Sequence, residues 1–326
     1  MIVVCGEALV DLVPDDSCGD RYTVVPGGSP ANAAVALARL GVPTAMLARL
    51  SGDSFGRRLR GHLSDNGVDL SLAVDAAESS SLAIVELDEY ANASYRFDIT
   101  GTADWQWTDA ELPDVLLDDV LAVHAGSLGL TLPPGAAALK RFLARMRGSR
   151  TICIDPNVRP FLGGDRAAMR AEADRWCGVA DIFKASADDV AVLHPGRDPE
   201  SVARRWQSLG PALVVVTLGA GGVLAVTREA TVRLPAPSTT MVDTVGAGDT
   251  FGAGLLASLH DAGVLGGRLQ GLTVAALRDA LDYGMRAAAV TCSRVGADPP
   301  YTQELASPRP CTNNSSGRSA DQVGDD

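Results

Sequence analysis

Four short apolar runs constrain this chain more than any other feature. Ile2-Val3-Val4, Val120-Leu121-Ala122-Val123, Thr151-Ile152-Cys153-Ile154 and Leu213-Val214-Val215-Val216 are nearly continuous in hydrophobicity rather than alternating. Runs of this kind read as strands covered on both faces, the state of parallel strands inside an α/β sheet. Segments with helical, Ala-rich spacing lie between and after them, among them 31–40 and 272–290. The alternation predicts an α/β fold: a doubly wound, mainly parallel sheet sandwiched by helices. Such sheets place ligands beyond the carboxyl ends of their strands. The residues that follow each apolar run are therefore the first candidates for chemistry.

Composition removes several alternatives. The chain has 326 residues, 46% hydrophobic and 21% charged, which suits one large globular unit. A net charge of −12 argues against nucleic acid or an anionic membrane as the main partner. No apolar run approaches the ~20 residues of a membrane span, and the start of the sequence lacks the basic and small-residue pattern of a signal peptide. The six cysteines form no CxxC pair and no metal-ligand spacing. These readings predict a reducing, cytoplasmic protein.

The most informative stretch runs from Val242 to Gly254, VDTVGAGDTFGAG. It opens a segment that reads helical over 250–258, so Gly246, Ala247 and Gly248 stand where a helix begins. Unpartnered N–H groups there, with the helix dipole behind them, form an anion site. Asp249 has two readings at this point. As a structural residue it is a helix cap. As a functional one it is a general base, taking a proton from a hydroxyl while the N–H groups stabilise charge on a phosphoryl group.

A second long pattern, GGSPANAAVALARLG over 27–41, reads as a Gly-Gly turn, a Ser-Pro helix start and a helix stopped by Gly41. Asn32 in its first turn is either a capping amide or a donor–acceptor pair for sugar hydroxyls. Met1 to Val13 reads as a strand with Asp11 a lone acid near its end. Residues 21–25 and the hairpin over 80–97, with a polar turn at 89–93, read as a small β lid. Trp105 and Trp107 either line the mouth of a site or pack in the interior. His124 reads as structural. Strand 151–154 leads to Asn157 and Arg159, and strand 213–217 to a Gly-rich turn, 219–222, that is also a plain hairpin. The segment from 306 to 326 is polar and aperiodic and is expected to be a disordered tail.

The two patterns together resemble the signatures of the ribokinase-like (pfkB-type) sugar kinases, most closely fructokinases, over about the first 300 residues. Val245 stands where that family usually has Thr. The resemblance implies a kinase domain over 1–305, with the lid built from about 12–26 and 80–105. It implies ATP-dependent phosphorylation of a sugar: Asp249 takes the proton of a primary hydroxyl, the backbone of Gly246, Ala247 and Gly248 holds the migrating phosphoryl group, and Mg²⁺ bridges the ATP phosphates. Sugar contacts are implied for Asp11, Gly27, Gly28, Asn32, Phe97 and Arg159. Nucleotide contacts are implied for Lys184, Ser186, Thr217, Gly219, Gly222 and Ala288. Ser186 and Asp189 occupy the family's Asn-x-x-Glu positions, so Asp189 is expected to organise Mg²⁺ through water. Asp243 is the expected neighbour of a monovalent cation, with K⁺ an open option. The Gly52-Asp53 pair is read either as a turn near the substrate or as structural. Relatives acting on 2-keto-3-deoxygluconate carry an Arg three residues before a Ser/Thr-Ala pair. Here that position is Ile99, ahead of Thr102-Ala103, which points to a neutral sugar. Fructose, giving fructose 6-phosphate, is the expected acceptor. 2-Keto-3-deoxygluconate, ribose and a nucleoside are alternatives, and a nonenzymatic sugar sensor is a reading from another class. A homodimer through an exposed lid edge is also open.

Overall fold

The computed structural model of the chain describes residues 1–15, 21–87, 93–160 and 165–305. The hairpin turn read at 89–93 falls, except for Ala93, outside these residues, as does the segment from 306 onward.

Strands in chain order are β1 (Ile2–Cys5), β2 (Leu9–Pro14), β3 (Tyr22–Gly27), β4 (Thr44–Leu47), β5 (Arg49–Ser51), β6 (Val74–Ala76), β7 (Leu82–Leu87), β8 (Ala93–Asp98), β9 (Ala122–Gly126), β10 (Thr151–Asp155), β11 (Ile182–Ser186), β12 (Leu213–Thr217), β13 (Val223–Thr227) and β14 (Thr231–Leu234). Helices are α1 (Ser29–Arg39), α2 (Ser54–Asp65), α3 (Gly135–Met146), α4 (Arg166–Cys177), α5 (Ala187–Leu193), α6 (Pro199–Ser208), α7 (Ala247–Asp261), α8 (Val274–Cys292) and α9 (Thr302–Leu305).

The main sheet has the order β14-β13-β12-β11-β10-β9-β1-β4. It is parallel from β4 to β12 and ends in the antiparallel pairs β12–β13 and β13–β14. Alternate side chains of each central strand enter opposite cores. Val3, Ile152, Ile154, Val214 and Val216 share a cluster with Phe142 of α3, Trp176 of α4 and Trp206 of α6. Ile2, Val4, Cys153, Leu213 and Val215 share the other with Val35 of α1, Leu255 of α7 and Leu281 of α8. Two covered faces are why these runs are continuously apolar.

The first expected strand is two strands. Gly6, at φ +149°, turns the chain out of the main sheet, and a Cβ there would lie 2.5 Å from Pro30. Glu7 thus stands at the carboxyl end of β1, and Asp11 belongs to β2, in a separate sheet of order β3-β2-β7-β8. This second sheet is the lid. It starts at Leu9 and ends at Asp98, so residues 99–105 return to the body instead of extending it. Trp105 and Trp107 are each 2% exposed and pack in the interior, which corrects the reading of them at the mouth of a site.

Candidate active site

Residues after the carboxyl ends of β1, β9, β10, β11 and β12 converge with the first turn of α7 beneath the lid. They enclose a cavity of 620 Å³. Its wall carries acids from three directions: Glu7 after β1, Asp155 at the end of β10, and Asp249 on α7.

Helix α7 begins at Ala247, three residues earlier than the apolar spacing predicts. Gly246 is its N-cap in the left-handed region, φ +73°, and a Cβ there would meet that of Ala297 at 2.6 Å, so only glycine closes this turn. No side chain caps the helix. The Ala247 N–H donates to Thr244 O and the Thr250 N–H to Gly246 O, but those of Gly248 and Asp249 find no acceptor among the described residues. A helix N-terminus with two open donors has the geometry that an anion site needs. Asp249 lies inside the first turn, past the N-cap, and the capping interpretation falls. Its carboxylate instead accepts hydrogen bonds from Ser29 Oγ at 2.6 Å and Asn32 Nδ2 at 3.0 Å, both on the first turn of α1. Burial raises its pKa, while Ser29, Lys184 and Asn32 oppose the rise. The result is an oriented carboxylate that holds a proton more readily than an ordinary aspartate and sits beside an anion site. Ser29 had no functional signal in the sequence, where it reads as a helix starter.

Across from α7, Lys184 Nζ donates to Asp155 Oδ2 at 2.5 Å, and both side chains are almost fully buried. Burial works against the ammonium, but Asp155, joined by Asp249 and Asp189, outweighs it and holds the Lys184 pKa above its usual value. Asp155 Oδ1 is buried without a hydrogen-bond partner among the described residues. Asp155 is the second residue that the sequence reading passed over. Asp189 is occupied: Oδ1 accepts from the Val158 N–H at 2.7 Å and Oδ2 from Ser186 N and Oγ at 2.7 Å. It therefore caps α5 and holds the 156–158 segment, whose Asn157 has φ +41° and faces the cavity with Arg159.

Beneath the lid, burial governs the acids. Asp11 and Phe97 of the lid and Gly28 of the α1 turn line the cavity. Burial raises the pKa of Asp11 to about 6. Gly27 makes room for that carboxylate rather than lining the wall, since a Cβ there would lie 2.2 Å from Asp11 Oδ2. Glu7 is 1% exposed and accepts from the Gly129 N–H at 3.3 Å; burial raises its pKa to about 7 despite help from Ser127. Next to it, Asp104 accepts from the Ala8 N–H at 2.9 Å and Ser81 Oγ at 2.5 Å. Ser81 Oγ in turn lies 2.6 Å from Thr102 Oγ1. Asp104 thereby ties together three of the four segments that join lid and body.

Other candidate residues take different places. Thr217 and Ser186 line the cavity; Ala247, Gly219, Gly222 and Ala288 lie outside its wall. Gly219 and Gly222 flank the turn of the β12–β13 hairpin, and Ala288 packs against the helical core. Asp243 accepts from the N–H groups of Thr244, Val245 and Gly296 at 2.6, 3.1 and 2.8 Å, which staples the 243–246 turn to the segment after α8. Asp53 caps α2 through the Gly56 N–H and holds Ser80, the structural alternative for that turn. His124, kept neutral by burial and by Lys184, with a pKa near 4, sits in the middle of the main sheet. Among the described residues no helix is long and apolar enough to cross a membrane.

A model of the pfkB family of carbohydrate kinases matches residues 1–304. A fructokinase of Rhizobium leguminosarum bv. trifolii is 39% identical over 261 residues, covering 79% of each chain. A fructokinase double mutant from Vibrio cholerae O395, solved with fructose, ADP and potassium ion, superposes with a TM-score of 0.78 at 29% identity, covering 91% of this chain and 93% of that one. An aminoimidazole riboside kinase from Salmonella enterica, solved with aminoimidazole riboside and an ATP analogue, gives 0.79 at 30% identity, covering 93% and 98%.

Proposed function

Because the chain belongs to the pfkB family of carbohydrate kinases, we propose that it transfers the γ-phosphoryl group of ATP to the primary hydroxyl of fructose, forming fructose 6-phosphate. The observation that carries this reading is the pairing of Asp249, oriented by Ser29 and Asn32, with the open N–H groups of Gly248 and Asp249. Asp249 takes the hydroxyl proton as the sugar oxygen bonds to phosphorus. The bond from phosphorus to the bridging oxygen breaks, and ADP leaves with that electron pair. The α7 turn faces the charge on the migrating group.

Acceptor choice follows from charge. Glu7 and Asp11 line the lid end, with Asp104 buried beside Glu7, so a carboxylate substrate would meet like charges there, and Ile99 offers it no counter-ion. A neutral polyol suits these acceptors: Asp11, Gly28 and Asn32 would orient its hydroxyls over Phe97. Arg159, on the opposite wall, is the group that an anionic acceptor would need. A second acceptor, aminoimidazole riboside, comes from the Salmonella relative and shares the neutral sugar portion.

Asp189, whose Oδ1 keeps a lone pair beyond the Val158 N–H, would fit a hydrated Mg²⁺, a hard cation, held through water. Such an ion supplies neutralisation of phosphate charge. The potassium in the Vibrio protein supports a monovalent cation beside the Asp243 staple, read out as faster turnover in K⁺ than in Na⁺. A cytoplasmic location fits an ATP consumer whose Cys5, Cys153, Cys177 and Cys292 are buried free thiols. Pairing of two copies through the outer lid strands β3 and β8 is tested by sedimentation.

The decisive assay follows ADP formation with fructose, 2-keto-3-deoxygluconate, ribose and aminoimidazole riboside side by side, with the position of phosphate in the product assigned by NMR. Selective turnover of fructose to the 6-phosphate is expected. Preference for the ketodeoxy acid would overturn the charge argument and assign Arg159 to its carboxylate.

A further inference from the structure

We infer that Lys184 is a catalytic residue that binds the γ-phosphoryl group during transfer, and that Asp155 is the positioning residue that aims it. This rests on the kinase reading above and assigns the cation of its phosphoryl end.

Three observations converge. A Cβ added to Gly248 would lie 3.2 Å from Lys184 Nζ, so the ammonium sits directly against the turn that carries the open N–H groups. An ammonium has three hydrogens to donate, yet among the described residues the only hydrogen-bond acceptor of Lys184 is Asp155 Oδ2. At 4% exposure, bulk water is a poor source of the missing acceptors. The remaining donors border the cavity between Asp155 and Asp249, where an anion touching the α7 turn would complete them. Buried cations are retained when they are paired and fully hydrogen-bonded; this one has its charge partner but not its hydrogen bonds.

The geometry also says which phosphate is bound. Lys184 and the base Asp249 approach the same helical turn, so the group that touches Lys184 is the one that meets the acceptor hydroxyl. That is the transferred phosphoryl group, which ADP lacks. A nucleotide anchor would treat ATP and ADP alike. Asp155, fixed at the end of β10, keeps the four-carbon stem of Lys184 pointed at the α7 turn instead of at Asp189.

The test measures Kd for ATP and ADP by calorimetry, with Mg²⁺ present, alongside steady-state turnover of fructose. For Lys184→Met, ATP affinity is expected to fall about tenfold or more, the loss typical of a hydrogen bond to a charged group. ADP affinity should stay within about twofold, and kcat should drop about a hundredfold with KM for fructose unchanged. Lys184→Arg should recover part of kcat. Asp155→Asn should reduce kcat, and combining it with Lys184→Met should cost no more than Lys184→Met alone, because Asp155 acts through the lysine. The double variant removes both members of the Lys184–Asp155 pair together, so it serves if Lys184→Met alone does not fold. Equal weakening of ATP and ADP, an unchanged ATP affinity, or fully additive losses would each overturn the assignment. Failure of the wild-type chain to phosphorylate fructose, with ATP selectivity still lost in the variant, would instead sink the acceptor and leave Lys184 in its role.

Discussion

The two ends of the cavity are built from the same kind of residue and behave differently. Under the lid, burial dominates at Glu7, Asp11 and Asp104 and lifts their pKa values to about 7, 6 and 6, even with Arg49 near Asp104. At the phosphoryl end, Asp155 and Asp249 face Lys184 and a helix N-terminus. One end accepts hydrogen bonds from neutral hydroxyls and disfavours added negative charge; the other is arranged to take in an anion. An acidic protein with a net charge of −12 is thereby expected to hold a highly anionic nucleotide, because the buried Lys184 and the α7 N-terminus stand together at this end of the cavity.

This contrast predicts a graded series of effects. Asp249→Asn should lower kcat by about 10³-fold, in the range of a lost general base, while fructose affinity by calorimetry stays near the wild-type value. Next comes Gly246→Ala, which forces a side chain into left-handed backbone 2.6 Å from Ala297 and should cost about 10²-fold in kcat/KM by distorting the anion turn. Asp11→Asn acts at the other end. It should raise KM for fructose by about tenfold with a smaller change in kcat, and an effect mainly on ATP would erase the division between the ends.

The smallest effect is on stability. Carboxyl groups whose folded pKa lies above the ordinary value bind more protons in the native than in the unfolded chain between about pH 4 and 7. Stability should thus fall as pH rises through that window, with Glu7 alone, raised from 4.5 to about 7, accounting for up to ~3 kcal/mol. Calorimetric Tm should decline by several degrees from pH 5 to pH 8, and Glu7→Gln should flatten the decline. A profile identical to wild type in Glu7→Gln would show that this carboxyl is not the buried acid described.

The sheet was legible because its strands are covered on both faces, which leaves a one-dimensional trace in runs such as 213–216. The turn at Gly6 was not, since nothing in Cys5-Gly6-Glu7 announces a change of sheet; the reason lies in Pro30, which occupies the space that a side chain would need. The Trp105–Trp107 pair was ambiguous for a similar reason: burial of a large ring is decided by what returns to cover it. At the site, the glycines and Asp249 could be found in one stretch of sequence. Their partners could not. Ser29 is 220 residues from Asp249 and Asp155 is 29 from Lys184, and neither contact has local periodicity. At Gly219, Gly222 and Ala288 the sequence leaves both readings open, because small side chains serve both close packing and ligand approach.

The hub at Asp104 has a consequence for how such a molecule changes its diet. Because one carboxylate binds the entry, middle and exit segments of the lid to one another, the four strands move and mutate as one part. A hairpin grafted from a relative would arrive with its own hinge chemistry and break that knot. New sugar preferences are therefore expected to arise by exchanging single side chains that face the cavity, such as Phe97, and engineers seeking them should leave residues 8, 81, 102 and 104 alone.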